Sequence, residues 1–147
     1  MGVCMSDNIQ LFDQLVAKIL NELYCEFPNK IFLDACGFFE NENKSYCDDN
    51  GNYINTLGRD ADFFNSTVSW LYDTGYLNRS PDQSKYTLSI QGLQLLKSIP
   101  SSVDDNKSLG DSLKSCIKKG MYDAAAKLIS DALSVNNLLS LIKHLMV

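Results

Sequence analysis

Residues 63–96 read FFNSTVSWLYDTGYLNRSPDQSKYTLSIQGLQLL and hold several local patterns in one short run. Apolar residues at helical spacing, followed by Gly75, predict a helix over residues 60–74. A polar tip at residues 78–84 then separates two short apolar segments, which is typical of two strands joined by a loop. Ser89 can cap a further helix that carries apolar side chains at the same spacing. The apolar positions of that last helix are Ile90, Leu93, Leu96 and Ile99.

The segment before this run predicts a long amphipathic helix and a short strand. Apolar residues follow helical spacing from Ser6 to Phe27, and Pro28 ends the helix. Residues 30–33 are short and apolar, which favours a strand, and a brief helix is expected over residues 34–39. Residues 40–58 are polar, and their Asn-Gly pair favours a hairpin turn. A calcium loop is excluded there, because the required Gly and Glu are missing.

The composition changes after Pro100. A polar linker leads to Ser108, which begins a capping box for a helix that Gly120 interrupts. The remaining residues form helix readily and carry many apolar side chains. We therefore predict a domain over residues 1–100 and a C-terminal helical extension over residues 101–147. The extension either packs on that domain or mediates dimerisation, because its apolar faces need a partner.

The overall composition is that of a soluble globular protein. The 147 residues include 13 Lys and Arg against 18 Asp and Glu, a net charge of -5, with 45% hydrophobic residues, which excludes global disorder. No apolar run reaches the ~18–20 residues of a membrane span, and the first ten residues lack the features of a secretory signal. We expect a cytoplasmic protein that does not contact a membrane.

The order of elements resembles the winged-helix (winged helix-turn-helix) fold over about residues 9–99. Residues 71–77, LYDTGYL, are similar to the turn that ends a winged-helix recognition helix. Residues 86–96, YTLSIQGLQLL, are similar to the segment that returns from the wing into the following helix. The resemblance implies an α+β, mostly helical domain with a small β-hairpin wing, to which the C-terminal helices are appended. It also implies DNA binding, because many such proteins are transcriptional regulators.

The charge of the predicted recognition helix argues against DNA as the partner. Residues 60–74 contain three aspartates and no Lys or Arg, whereas DNA affinity comes largely from basic groups that neutralise phosphates. The wing supplies only Arg79 and Lys85. The C-terminal lysines could add a basic patch, but a solvated face is the commoner role of such residues. These C-terminal lysines are Lys114, Lys118, Lys119 and Lys127.

Protein binding is therefore the favoured function, and its partner is expected to be basic. The protein would be an adaptor, or an inhibitor of the immunity-protein type. The alternative is a winged-helix DNA-binding transcriptional regulator. The partner-binding residues would be Asp62, Asn65, Ser66, Ser69, Asp73, Arg79 and Lys85. Trp70 and Phe63 flank this face as candidate anchors, although aromatic residues at helical spacing are more often core.

The chain carries no motif that predicts catalysis. It has no Gly-rich phosphate loop, no HExxH and no GxSxG, and its five cysteines form no CxxC pair. Its single histidine, His144, lies in the terminal apolar stretch. We therefore expect a non-enzymatic protein without cofactor or metal. A homodimer held by residues 109–145 is a further hypothesis.

Overall fold

The computed structural model describes residues 5–35, 38, 58–99 and 107–145, with side chains described for 8–35, 38, 60–99 and 107–134. This part of the chain is mostly helical with one small antiparallel sheet, which confirms the predicted α+β class. The elements in chain order are α1 (Met5–Glu26), β1 (Ile31–Phe32), α2 (Gly58–Asp73), β2 (Leu77–Arg79), β3 (Lys85–Leu88), α3 (Ile90–Lys97), α4 (Leu109–Lys118) and α5 (Tyr122–Leu145).

The three strands form a sheet in the order β1-β3-β2. Tyr86 of the central strand lies opposite Ile31 on one side and Arg79 on the other. Leu77 and Leu88 form a further cross-strand pair, and both are buried. Because side chains alternate along a strand, these five side chains belong to the face that packs against the core. The two strands predicted on either side of residues 78–84 therefore pair as a β-hairpin.

Ser89 joins the end of α2 to the start of α3. Its hydroxyl accepts a hydrogen bond from the Gly92 backbone N–H at 3.0 Å, as a helix N-cap does, and donates to the Gly75 carbonyl at 2.6 Å. Gly75 has a φ of +92°, which L side chains rarely adopt. A Cβ atom at Gly92 would lie 2.3 Å from the Tyr76 carbonyl oxygen. The capping role predicted for Ser89 is confirmed, and the two glycines allow the close approach.

Helix α1 lies at the centre of the hydrophobic core. Its buried side chains contact residues from every later helix, and they form one continuous cluster with them. Leu109 and Leu113 of α4 and Ile129 of α5 are fully buried in that cluster. A Cβ atom at Gly110 would lie 2.7 Å from the Tyr24 ring, so α4 approaches α1 closely at this point. Residues beyond Pro100 thus share one core with α1 and the sheet.

Some apolar residues that the spacing assigned to buried stripes are exposed. Ile90 and Ile99 are 77% and 59% exposed. The buried face of α3 runs through Gly92, Leu95 and Leu96 instead. Ile90 lies two residues from Gly92, which is about 200° around a helix, so it projects away from the core. The predictions of a helix over residues 34–39 and of a hairpin within residues 40–58 fall largely outside the described residues.

Candidate functional site

Helix α2 presents the predicted binding face to solvent. Its inner side is buried against the core through Phe64, Val68 and Leu71. The five residues predicted for the opposite side are all exposed, and they are Asp62, Asn65, Ser66, Ser69 and Asp73. Their spacings of three, four and seven residues place them along one side of the helix. We call these five residues the α2 face.

The charge on the α2 face is unbalanced within the described residues. Asp62 and Asp73 form no ion pair there. Asp73 is in the last turn of α2, which contains no basic residue, so its charge adds to the negative end of the helix dipole. The structure starts α2 two residues earlier than predicted and thereby includes Arg59 at its other end. Asp73 is thus an exposed carboxylate at the negative end of α2.

Arg79 of the hairpin contacts Tyr72 of α2. Its guanidinium carbon lies 4.0 Å from the centre of the Tyr72 ring. A hydrogen bond with the Tyr86 side chain, and secondarily the proximity of Tyr72, raise the pKa of Arg79 above its usual value. Arg79 and Tyr86 are also cross-strand partners. The cation of Arg79 therefore contacts one aromatic side chain from α2 and one from β3.

Lys85 lies on the other side of the sheet. It pairs with Phe32 across β1 and β3, and its ammonium group lies 4.9 Å from the centre of the Phe32 ring. Because Lys85 precedes Tyr86, its side chain points to the face opposite that of Arg79. Arg79 contacts Tyr72 of α2, whereas Lys85 lies on the opposite face of the sheet, so the structure separates the two basic residues of the predicted set.

The hairpin tip is held by Asp82. Its Oδ1 atom accepts hydrogen bonds from the Ser80 hydroxyl, the Ser84 hydroxyl at 2.8 Å and the Ser84 backbone N–H at 3.2 Å. The Ser80 bond, followed by those from Ser84, lowers the pKa of Asp82 to about 2. Gln83, which lies between Asp82 and Ser84 in the chain, has a φ of +66°. The tip is thus a tightly bonded turn that stays negatively charged at neutral pH.

The two candidate aromatic anchors pack into the core instead of standing free. Trp70 contacts Phe12 edge to face at 5.1 Å and stacks on Tyr76 at 6.3 Å between ring centres. Phe63 is also half-buried against the core. Tyr72 and Tyr86 are likewise partly buried against the core, and both contact Arg79, which the helical pattern alone did not indicate. Only the register of the hairpin places Tyr86 opposite Arg79.

The other chemical features of the described residues are few. No group of three or more His, Cys, Asp or Glu side chains there is arranged to hold a metal ion, and Cys25 and Cys116 are free thiols. Lys114, Lys118 and Lys119 are exposed. No helix in this part of the chain combines the length and hydropathy that a membrane span requires.

No family model, no curated protein and no solved structure matches the chain. Because a fold alone does not determine function, the residues at the surface are those that bear on it. That surface combines an acidic helix face with one guanidinium held against aromatic rings.

Proposed function

We propose that the chain is a cytoplasmic, winged-helix-like protein that acts by binding a basic protein and not by catalysis. The observation that carries this proposal is the α2 face, where Asp62 and Asp73 form no ion pair with another described side chain and stand among exposed polar side chains. An adaptor, or an inhibitor that covers a basic enzyme, would use such a face.

The arrangement of elements supports the winged-helix part of the proposal. Helix α2 is followed directly by the β2–β3 hairpin, and Ser89 then begins α3 against the end of α2. Strand β1 completes the small sheet beside β3. In a winged-helix protein this order makes α2 the recognition helix and the hairpin the wing.

The chemistry of the α2 face fits a basic protein surface. Exposed carboxylates attract lysine and arginine side chains and accelerate the encounter with a basic partner. Arg79 and Tyr72 belong to the residue types that contribute most to protein interfaces, and their mutual contact orders both before binding. An exposed acidic helix face and an ordered Arg–Tyr pair are thus both suited to binding a protein.

The placement of the cations weighs against the DNA-binding alternative. A recognition helix enters a field of one phosphate charge per ~1.7 Å of duplex and needs basic neighbours to hold it there. Arg79 and Lys85, the two cations of the hairpin, lie on opposite faces of the sheet. They therefore cannot both contact one DNA backbone beside the acidic α2 face. A fluorescent mixed-sequence duplex should show no saturable binding even at low salt.

The decisive experiment compares capture of partners by three forms of the chain. The variant Asp62→Asn with Asp73→Asn removes two charges from the α2 face without changing side-chain shape. The matched control, Glu22→Gln with Glu26→Gln, removes two exposed charges from α1. A basic protein captured from the source cells by the wild type and the control, but not by the α2 variant, is the expected result.

The captured protein is then purified, and the rate at which it associates with each of the three forms of the chain is measured at several salt concentrations. The α2 variant should associate roughly three- to tenfold more slowly at low salt, and the difference should shrink as salt rises. Equal rates for all three forms would contradict the proposal. Tight duplex binding that weakens steeply with salt would favour the regulator instead.

A further inference from the structure

A second surface lies between α1 and α5, away from the α2 face. The first turns of the two helices leave an open groove of about 530 Å³. No residue of α2 or of the hairpin lines it. The lining residues are Ile9, Gln10, Asp13, Asp123, Ala126, Lys127, Ser130 and Asp131. The volume is in the range of grooves that hold a ligand or a few side chains of a partner.

The groove has an apolar floor and an exposed apolar edge. Ala126 is only 5% exposed and forms part of the floor. Ile9 is 58% exposed at the edge, although its spacing in α1 matches the buried stripe. A branched aliphatic side chain beside a concave surface gains stability when another apolar group covers it. This combination favours a partner that inserts an aliphatic side chain.

Three carboxylates surround that floor, and one of them is held in place by two amides. Gln10 and Gln14 of α1 both donate their side-chain N–H to Oδ1 of Asp123, at 3.0 and 2.9 Å. Asp131 follows eight residues later on α5, which is about 12 Å along a helix. Asp13 faces them from α1, and partial burial raises the pKa of its carboxyl above the usual value.

The groove supplies little positive charge of its own. Lys127 is the one cation among the lining residues, and its ammonium lies 3.9 Å from a carboxylate oxygen of Asp131. Both side chains of that pair are strongly exposed, at 79% and 54%, so water screens the interaction. Three carboxylates against one cation therefore leave the groove negative, and a cationic occupant complements it.

The geometry points to this groove as a docking site for a basic amphipathic helix of another protein. An aliphatic side chain of that helix would contact Ile9 and Ala126. Lysine or arginine side chains two turns apart on the same helix would reach Asp123 and Asp131, because two helical turns span nearly the same ~12 Å. The docking site shares no residue with the α2 face, so the binding role proposed for each surface can be tested independently of the other.

The test uses synthetic peptides and the whole chain, with nuclear magnetic resonance as the readout. One peptide of about 18 residues is helical, with leucines on one side and lysines flanking them eight residues apart. Its counterpart carries glutamates at the lysine positions. The lysine peptide should shift the side-chain amide signals of Gln10 and Gln14 in a saturable manner. The glutamate peptide should not.

Substitutions then show which residues contribute to the affinity for the lysine peptide. Asp131→Asn should weaken the binding of the lysine peptide roughly two- to fivefold. This change leaves the hydrogen bonds from Gln10 and Gln14 to Asp123 intact. Lys127→Ser should strengthen binding about twofold, because a competing cation is removed. Ile9→Ser should weaken binding as well. The matched control, Glu22→Gln with Glu26→Gln, removes two exposed charges of α1 that do not line the groove, and it should leave the affinity unchanged.

Several results would overturn this assignment. Equal binding of the glutamate peptide would show that charge does not select the occupant. Signal changes confined to α2 or the hairpin would place the peptide elsewhere, and no saturable change at all would remove the site. A light-scattering mass of two chains, with Gln10 signals that move on dilution, would identify a second copy of the chain as the occupant instead.

Discussion

The guanidinium of Arg79 lies against the ring of Tyr72, 4.0 Å from its centre, and this contact fastens the β2–β3 hairpin to α2. The two residues come from α2 and β2, which are also joined through the tight turn at Gly75. The contact holds one cation of the hairpin against α2.

This contact should be measurable as a coupling between the two side chains. A double-mutant cycle with Tyr72→Leu and Arg79→Gln is expected to give a coupling of about 0.5–1 kcal/mol in the free energy of unfolding. Tyr72→Phe should retain most of it, because the ring face remains. Urea unfolding followed by circular dichroism provides the values. Strict additivity of the two changes would contradict the contact.

Acid should loosen the hairpin tip only at very low pH. The pKa of Asp82 is about 2 in the folded chain, against 3.8 for the ordinary group. Because the folded value is the lower one, the stabilisation is fully present above pH 3.8 and is lost as the pH falls through about 2. A carbon NMR titration of the Asp82 carboxyl checks the value.

The variant Asp82→Asn provides the control for that titration. It should remove the part of the acid dependence that lies between those two pH values and should change little of it above pH 4. The Ser84 amide signal reports the same bond, because Ser84 donates to Asp82 at 3.2 Å. A midpoint near 3.8 in the wild type would show that the bonded turn does not persist in solution.

The close packing of α4 on α1 predicts a large effect of one methyl group. A Cβ atom at Gly110 would lie 2.7 Å from the Tyr24 ring. Gly110→Ala should therefore lower the free energy of unfolding by about 1–3 kcal/mol, although alanine is the better helix former. Tyr24→Leu in the same chain should recover part of that loss, because the ring that clashes is gone. Lys114→Ala, on the exposed side of α4, is the neutral control.

Much of the fold could be predicted from local sequence, whereas the arrangement of residues at its surfaces could not. The helices around Leu20 and Val68, and the caps at Ser89 and Ser108, were predictable because periodic burial and capping act within a few residues. The separation of Lys85 from Arg79 needed the register of the sheet. The groove beside Ile9 needed the packing of α1 on α5, which brings together residues more than 100 positions apart.

Thr87 provides a test of the sheet itself. It lies in the central strand, it is 6% exposed, and its hydroxyl oxygen has no hydrogen-bond partner in the described part of the chain. A buried hydroxyl without a partner costs roughly 1–3 kcal/mol, because it has lost its hydration. Valine has nearly the same shape and an equally good preference for strands. Thr87→Val should therefore raise the free energy of unfolding by about 1 kcal/mol.

Thr67 supplies the matched comparison, because it is equally buried but bonded. It is 2% exposed in α2, and its hydroxyl donates to the Phe63 carbonyl at 2.8 Å. Thr67→Val should lower the free energy of unfolding by roughly 1 kcal/mol, since that bond is lost. Opposite signs for these two isosteric changes, measured by urea unfolding, are the expected result. A loss of stability in Thr87→Val would contradict the prediction that this buried hydroxyl lacks a hydrogen-bond partner.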